Sequence, residues 1–391
     1  MEKKQNVPAL RFQEFSSEWK SHQLQSFGKA TGGTPIESEF VSQGKYKVIS
    51  IGSYSEQGTY IDQGIRANYS EKTAKRILNK DDLAMLLNDK TLRGNIIGRV
   101  LLIDADDSYV YNQRTERLEV DKDNFNPSFL HCLFNVDKIR KAIIYNAVGI
   151  TQIHVNWSAI SQLFYHIPPT MAEQNCISNF NIEYSQFILL QKNKIRKLQQ
   201  FRRAMLAKLF PREGAAEPEL RFRGFSGKWK RQKLADVVDV QNGYDYKSLG
   251  RGTIPVYGTG GYMLSVDKAL SYDKDAIGIG RKGTIDKPFI LKAPFWTVDT
   301  LFYAIPREIN DINFVLCLFQ KIDWKSKNES TGVPSLSKTT IEGVKILIPS
   351  AMEQKVIGDF FYRLDRYISL QQKKLERMQR LKAALLGKMF V

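Results

Sequence analysis

An internal repeat opens with Pro8-Ala-Leu-Arg-Phe-Gln-Glu-Phe-Ser-Ser-Glu-Trp19-Lys-Ser-His-Gln-Leu24 and returns as Pro218-Glu-Leu-Arg-Phe-Arg-Gly-Phe-Ser-Gly-Lys-Trp229-Lys-Arg-Gln-Lys-Leu234. Nine of these seventeen positions are identical, at an offset of 210 residues. A second segment, Glu173 to Phe210, returns as Glu353 to Phe390 at an offset of 180. The period is too long for a solenoid repeat. The pattern therefore predicts a duplicated domain, with each copy ending in the same kind of segment.

The charge of the chain points to a polyanionic partner. The 391 residues include 58 Lys and Arg against 41 Asp and Glu, which gives a formal net charge of +17. Such an excess favours nucleic acid first and an anionic membrane surface second. The plainer alternative is a basic soluble protein. No apolar run approaches the length of a membrane span, and none follows the N-terminus, so we expect a cytoplasmic protein without membrane contacts.

Cysteine and histidine usage indicates no metal site and no disulfide framework. The three cysteines, Cys132, Cys176 and Cys317, form no CxxC pair, and the four histidines show no metal-ligand spacing. Cys132 and Cys317 lie in matching apolar phrases that predict a buried helix face. We also find no Walker A sequence and no methyltransferase or nuclease motif. The sequence therefore favours a non-catalytic protein.

Two long helices are the clearest local prediction. Neither repeated tail contains proline, and apolar residues recur there at heptad spacing, which is typical of a coiled coil. At 1.5 Å per residue, each helix should be roughly 55–60 Å long. The residues predicted to form the helix–helix seam are Ile177, Tyr184, Ile188, Gln191, Ile195, Leu198, Met205, Ile357, Leu364, Ile368, Gln371, Leu375, Met378 and Leu385.

Both seams carry a glutamine at the same level, Gln191 and Gln371. A polar seam residue lowers stability but can specify register and partner. The matched glutamines favour mutual packing of the two helices, and the alternative is that each helix packs on its own domain. Proline residues at 168, 169 and 349 mark the helix starts.

The segments between the repeated ends differ in length and share little sequence. Each mixes β-branched and aromatic runs with turn residues and one helical phrase, which predicts a compact α/β or α+β domain. The expected organisation is a first domain at 1–168, a helix at 169–210, a linker at 211–217, a second domain at 218–349 and a helix at 350–391.

The sequence Gly278-Ile-Gly-Arg-Lys-Gly283 matches the GxGxxG pattern, but no helix is predicted after it. A dinucleotide site requires a strand before and a helix after the glycines. We therefore interpret this segment as a tight basic turn whose backbone can approach a phosphate. Asn88-Asp-Lys-Thr-Leu-Arg-Gly94 is a looser counterpart in the first half. Plain hairpin turns are the alternative for both segments.

The repeated ends, the phrase Thr331-Gly-Val-Pro-Ser-Leu336, the Ile348-Pro349…Glu353-Gln354 segment and the heptad tails together resemble the specificity (S) subunits of type I restriction–modification systems. The resemblance covers nearly the whole chain. The first copy departs from the pattern, because Gly149-Ile-Thr-Gln-Ile153 replaces the usual Gly-Ile/Val-Pro phrase.

This resemblance implies two target-recognition domains separated by two antiparallel helices in a pseudo-twofold arrangement. Each domain would read one half of a split, asymmetric site in double-stranded DNA, and the helices would set the unread spacer. Two methyltransferase subunits and restriction subunits would dock on this protein. S-adenosylmethionine, ATP and Mg²⁺ would belong to those partners, so no cofactor is expected here.

DNA-reading residues should come from the divergent middle segments, because base readout requires side chains at base edges. The candidates are Lys72, Lys75, Arg76, Lys90, Arg93 and Arg114 in the first copy, and Tyr244, Tyr246, Lys247, Arg251, Arg281, Lys282 and Lys287 in the second. Two other classes of function stay open: a coiled-coil docking protein with non-specific DNA binding, and a nuclease or other enzyme.

Overall fold

Each of the two long helices is shared between two units of the fold. The computed structural model describes residues 6–391, and its first unit comprises the chain up to Leu190 together with Leu375–Val391. The second unit is Gln191–Lys374. Each unit therefore contains one middle segment and parts of both helices. The boundaries expected from the sequence assign each long helix to a segment of its own, which is a different division from these two units. Those boundaries stay predictions.

The first unit is built on short strands, mostly paired antiparallel, and four short helices. Its strands are β1 (Lys20–Gln23), β2 (Gly28–Gly32), β3 (Phe40–Val41), β4 (Tyr46–Ile49), β5 (Arg66–Ala67), β6 (Ile77–Leu78), β7 (Leu83–Leu86), β8 (Asn88–Asp89), β9 (Val100–Leu102), β10 (Tyr109–Tyr111), β11 (Thr115–Val120), β12 (Ile153–His154) and β13 (Phe164–Ile167). Its helices are α1 (Glu71–Ala74), α2 (Pro127–Asn135), α3 (Asp137–Tyr145), α4 (Trp157–Ile160) and the first part of α5 (Met171–Lys208).

These strands form a four-stranded antiparallel sheet, in the order β2-β11-β7-β9, and a five-stranded sheet, in the order β3-β5-β4-β10-β6. The strand pairs β1–β13 and β8–β12 complete the unit.

The second unit repeats the four-stranded sheet with different side chains. Its strands are β14 (Lys230–Lys233), β15 (Val238–Gln241), β16 (Arg251–Gly258), β17 (Gly261–Val266), β18 (Ala276–Gly280), β19 (Phe289–Leu291), β20 (Trp296–Thr297), β21 (Leu301–Pro306) and β22 (Lys345–Ile348). Its helices are α6 (Ile312–Lys321), α7 (Lys338–Glu342) and the first part of α8 (Ala351–Met389). The sheet order is β15-β21-β18-β19, beside a three-stranded sheet β17-β16-β20.

An aromatic cluster at the core of each unit includes the end of the other copy's long helix. In the first unit the ring of Phe390 lies 6.2 Å from Trp19 and 5.6 Å from Phe129. In the second unit Phe210 lies 5.7 Å from Trp229 and stacks 5.2 Å from Phe314. The repeated head and tail segments thus meet in the same way in both units, which explains why both copies retain Trp and Phe there.

The short apolar helices α2 and α6 are also equivalent. The Asn126 side chain accepts a hydrogen bond from Phe129 N, and Asp311 accepts one from Phe314 N, so both helices have a side-chain N-cap. Cys132 and Cys317 lie on their buried faces, as predicted. The prediction of one helical phrase per middle segment was too few. The first segment also contains α3, and α1, α4 and α7 are helical turns of only four or five residues.

The long helices α5 and α8 comprise 38 and 39 residues. At 1.5 Å per residue they are roughly 57–59 Å long. In the second unit Gln191 meets Gln371, whereas Arg202, further along α5, meets Asp365, earlier in α8, so the helices run antiparallel. All fourteen predicted seam residues are buried or half-buried. No helix within residues 6–391 is long and apolar enough to cross a membrane.

Candidate nucleic-acid interface

The basic turn of the second unit lies between two other surface loops. Arg281 N donates to Thr300 O at 2.8 Å, and Leu336 N donates to Arg281 O at 2.9 Å. Gly283 N donates to Pro334 O at 2.8 Å. The turn after β18 is therefore held by the β20–β21 turn on one side and by the loop 331–336 on the other. It leads to strand β19 and not to a helix, in agreement with the rejection of a dinucleotide site.

The first unit has the same arrangement after β7. Leu87 N donates to Arg114 O at 2.8 Å, and Val155 N donates to Leu87 O at 2.9 Å. Asp89 shapes the turn that follows, because its carboxylate accepts hydrogen bonds from Thr91 N at 2.9 Å and Ile96 N at 2.8 Å. Lys90 and Arg93 are exposed on this turn. Residues 88–94 are thus the structural counterpart of the basic turn at Arg281 in the second unit.

Three of the other candidates in the first unit surround residues 33–39. Arg76 Nε donates to Thr34 Oγ1 at 3.1 Å, and Lys72 Nζ donates to Ser38 Oγ at 3.0 Å. Arg114 follows Asn112, whose side chain donates to Glu37 Oε1 at 2.8 Å. The structure therefore brings Lys72, Arg76 and Arg114 to one surface. Lys75 is exposed next to them, at the end of α1.

In the second unit, Tyr244 lies against strand β20, which leads into the turn that contacts Arg281. Tyr244 N donates to Thr297 O at 2.9 Å, and Trp296 Nε1 donates to Tyr244 O at 2.9 Å. Tyr246 is half-buried in an apolar cluster around Val256, and Lys247 is exposed after it.

Two candidates in the second unit lie away from this turn. Lys287 lines a separate depression with Lys325 and Asn328. Arg251 pairs with Val266 at the open end of the β16–β17 hairpin. It lies roughly 23 Å along the strand from Gly258, which is at the turn end. The structure therefore does not bring Arg251 together with Arg281.

Several exposed residues at the same surfaces were missed by sequence reasoning. Gln113 and Asp299 are exposed on the turns that contact the basic segments. Tyr262 is 63% exposed at the tip of the β16–β17 hairpin, and a Cβ on Gly283 would lie 3.8 Å from Thr259 in that tip. The glycines of Gly258-Thr-Gly-Gly261 were a signal for this turn. Gln113 and Asp299 gave no signal, since single polar residues in loops are common.

One equivalent position in the two four-stranded sheets differs in charge. Glu116 in the first unit is buried, and desolvation raises its pKa to about 7, while the nearby Arg76 guanidinium acts in the opposite direction. Phe302 holds the equivalent position in the second unit, with the Arg281 guanidinium 5.9 Å from its ring centre. Burial raises the pKa of Cys132 and Cys317 to about 12, so neither thiol is activated as a nucleophile.

Two equivalent units that present differing basic and polar residues on the same backbone frame define a class of protein, a duplicated nucleic-acid recognition scaffold. The family model described as the type I restriction modification DNA specificity domain matches residues 16–200 and 226–380. The chain therefore belongs to this family, and the two matched segments correspond to the two copies of the repeat.

Individual relatives agree with this assignment. The chain is 20% identical over 369 residues to the type I restriction enzyme MjaVIII specificity subunit of Methanocaldococcus jannaschii, covering 84% of this chain and 83% of the relative. The S subunit of a type I restriction–modification system from M. genitalium has the same fold, with a TM-score of 0.66, 18% identity and coverage of 98% and 99%. A chain from a structure of type I R-M complex assembly and conformational transition gives a TM-score of 0.61, 14% identity and coverage of 95% and 97%.

Proposed function

We propose that this protein reads a bipartite, asymmetric site in double-stranded DNA and docks the methyltransferase and restriction subunits of a type I restriction–modification complex. One observation carries the proposal: the same surface arrangement of turn, basic segment and loop occurs in both units with different side chains. A repeated frame with unlike side chains suits two readers of two unlike half-sites. The excess positive charge of the chain, +17, supplies attraction to phosphate.

The long helices carry exposed apolar residues that repeat at the helix offset of 180 residues. These matched pairs are between 41% and 64% exposed: Ile182 and Tyr362, Phe187 and Tyr367, Leu190 and Leu370, Phe201 and Leu381. At 100° per residue, Phe187 and Phe201 lie roughly 70° around the helix from the seam, Leu190 roughly 130° on the same side and Ile182 roughly 130° on the other side. Exposed apolar residues grouped in this way mark protein interaction sites.

Each unit contains one member of every matched pair. The first unit has Ile182, Phe187, Leu190 and Leu381, and the second has Tyr362, Tyr367, Leu370 and Phe201. Two equivalent apolar surfaces suit two copies of one partner, and we infer that these partners are the methyltransferase subunits. In this proposal the chain itself is non-catalytic, and S-adenosylmethionine, ATP and Mg²⁺ are bound by the partner subunits.

The test is to reconstitute the full chain with its cognate methyltransferase subunit and to map methylated bases on genomic DNA. We expect methylation at a single bipartite motif, and two separate protected half-sites in footprints of the complex. Methylation without any bipartite motif, or uniform protection, would instead support the non-specific coiled-coil docking protein. Metal-dependent cleavage of DNA by the purified chain alone would support a nuclease.

The docking surface is tested separately by Leu190→Ser combined with Leu370→Ser. We expect loss of methyltransferase binding in size-exclusion chromatography, because both apolar surfaces lose an exposed leucine. Lys192→Ser combined with Gln372→Ser is the matched control at neighbouring exposed positions and should leave the complex intact. Equal binding by the leucine variant and the control would refute the assignment of this surface.

A further inference from the structure

The strand register gives a residue-by-residue correspondence between the two four-stranded sheets. Thr115 pairs with Leu86 in the first unit, and Leu301 pairs with Gly280 in the second. The residues just beyond these pairs are therefore equivalent. Gln113 corresponds to Asp299, Arg114 to Thr300, and Leu87 to Arg281.

The backbone at these positions is held in the same way in both units. The hydrogen bond from Leu87 N to Arg114 O and the one from Arg281 N to Thr300 O are both 2.8 Å long. Close packing confines the neighbouring segment as well, because a Cβ on Gly33 would lie 2.2 Å from Asn112 O, and one on Gly243 would lie 2.0 Å from Val298 O. The equivalent side chains are thus attached to a rigid backbone in both turns.

The side chains at these fixed positions differ in the chemistry that distinguishes bases. An amide, as in Gln113, suits adenine, a carboxylate, as in Asp299, accepts from cytosine N4, and a guanidinium, as in Arg281, suits guanine. All three side chains are exposed. A basic residue elsewhere on the surface would attract phosphate without distinguishing sequence.

The Arg281 guanidinium is oriented before any ligand is present. It lies over the Phe302 ring at 5.9 Å, and its Nη1 donates to Asp299 O at 3.3 Å. Arginine has five N–H donors, so most of the fork is available to a ligand. Arg281 and Asp299 line one edge of a cleft of about 640 Å³, with Asn242 and Lys338 also in its wall. An arginine held in this way suits bidentate recognition.

We propose that Gln113 and Arg114 in the first unit, and Arg281 and Asp299 in the second, are the residues that determine which bases are recognised in the two half-sites. The inference rests on the proposed function and makes it specific. It adds Gln113 and Asp299 to the candidates, and it assigns Arg251 no part in base recognition.

The experiment maps the methylated motif of the complete complex of this chain with its methyltransferase subunit. Gln113→Ala should relax one base position of one half-site, and Asp299→Ala one position of the other. Base discrimination at the affected position should fall about 10- to 100-fold. The second half-site should be unchanged in each case.

Arg281→Lys separates base reading from charge. It retains the positive charge but loses the planar fork, so base preference should relax as in Arg281→Ala while the salt dependence of binding stays near the wild type. Arg251→Ala removes one charge from the same unit and should leave the motif unchanged.

The inference fails if Gln113→Ala and Asp299→Ala complexes keep the wild-type motif at every position, or if Arg251→Ala relaxes a base position as strongly as Arg281→Ala. Thermal unfolding of each variant shows that it is folded. A wild-type complex without a bipartite motif would overturn the proposed function itself, which is a different result from an intact motif that the variants leave unaltered.

Discussion

At the scale of single residues, a buried ion pair joins the head of the first repeat to the start of helix α5. Glu173 is 1% exposed, and its Oε1 accepts hydrogen bonds from Arg11 Nε at 2.7 Å and Trp19 Nε1 at 3.1 Å. Arg221 and Glu353 form the equivalent pair in the second unit, with Nη2 and Oε2 2.7 Å apart. The ion pair explains why Arg and Glu recur at the repeat offsets.

We predict that Glu173→Ala lowers the free energy of unfolding of the first unit by about 3–5 kcal/mol, because it leaves the Arg11 guanidinium buried without its partner. Urea denaturation followed by tryptophan fluorescence measures this loss. Glu376→Ala removes an exposed carboxylate next to Arg380 and is the matched control, with an expected effect below about 1 kcal/mol. Equal effects of the two substitutions would contradict the importance of burial.

Glu116 makes the stability of the first unit depend on pH. Desolvation raises its pKa from 4.5 to about 7, so the folded state holds this proton more tightly than the unfolded chain does. The stability that the proton contributes is fully present below pH 4.5 and is lost as the pH rises through 7. The loss reaches about 3 kcal/mol at most, at 1.36 kcal/mol for each pKa unit.

Glu116→Gln, which stays neutral, should therefore be more stable than the wild type at pH 8 and nearly equal to it near pH 4.5. Thermal unfolding of both proteins between pH 4.5 and 8 measures the difference, which should grow with pH and level off above 7. Parallel curves for the two proteins would show that the Glu116 carboxyl is ionised in the folded state.

At the scale of elements, the paired helices hold the two repeats together through a seam that combines apolar, polar and charged contacts. Gln191 Nε2 donates to Gln371 Oε1 at 2.9 Å and to Gln371 O at 3.1 Å. The equivalent cross-helix contacts differ in chemistry. Lys382 donates to Ser185 in the first unit, whereas Arg202 pairs with Asp365 in the second.

The glutamine layer should contribute pairing specificity more than stability. We predict that the double variant Gln191→Leu/Gln371→Leu is at least as stable as the wild type, by about 0–2 kcal/mol, because two leucines replace a buried amide pair with apolar packing. Either single variant should be less stable than the double variant, since it leaves one amide facing a leucine. A thermal-unfolding double-mutant cycle measures this coupling, and a double variant weaker than both single variants would contradict it.

Helix length should control the spacer of the DNA site. Inserting one heptad after Lys192 and one after Gln372 keeps the seam in register and adds about 10.5 Å to each helix. At 3.4 Å per base pair this corresponds to about three base pairs. Methylation mapping should show a spacer lengthened by about three base pairs between unchanged half-sites. A change in either half-site would contradict the role of the helices as spacer.

At the scale of the whole molecule, the duplication, the two helices and the start of each helix were predictable from the sequence, because heptad spacing and repeated phrases are local patterns. The basic turn at Arg281 was also recognisable from its glycines. Its contact with the loop 331–336 was not, because that pairing depends on non-local hydrogen bonds such as Leu336 N to Arg281 O. The burial of Glu116 was equally hidden, since a single glutamate in a strand gives no pattern.

The sequence likewise did not predict that each long helix belongs partly to one unit and partly to the other. The seam residues indicated that the helices pack on each other, but the burial of Phe390 against Trp19 requires the fold of the first unit around it. The first and second copies therefore cannot be cut apart at the linker without exposing the aromatic core of each unit.

The central claim is that each unit reads its own half-site, and one exchange tests it most directly. Residues 25–162 can be replaced by the corresponding segment of another family member while the β1–β13 pair stays intact. The methylated motif of the resulting complex should show one new half-site, supplied by the donor, beside one unchanged half-site. If both half-sites changed together, or if neither did, the two units would not be independent readers of DNA.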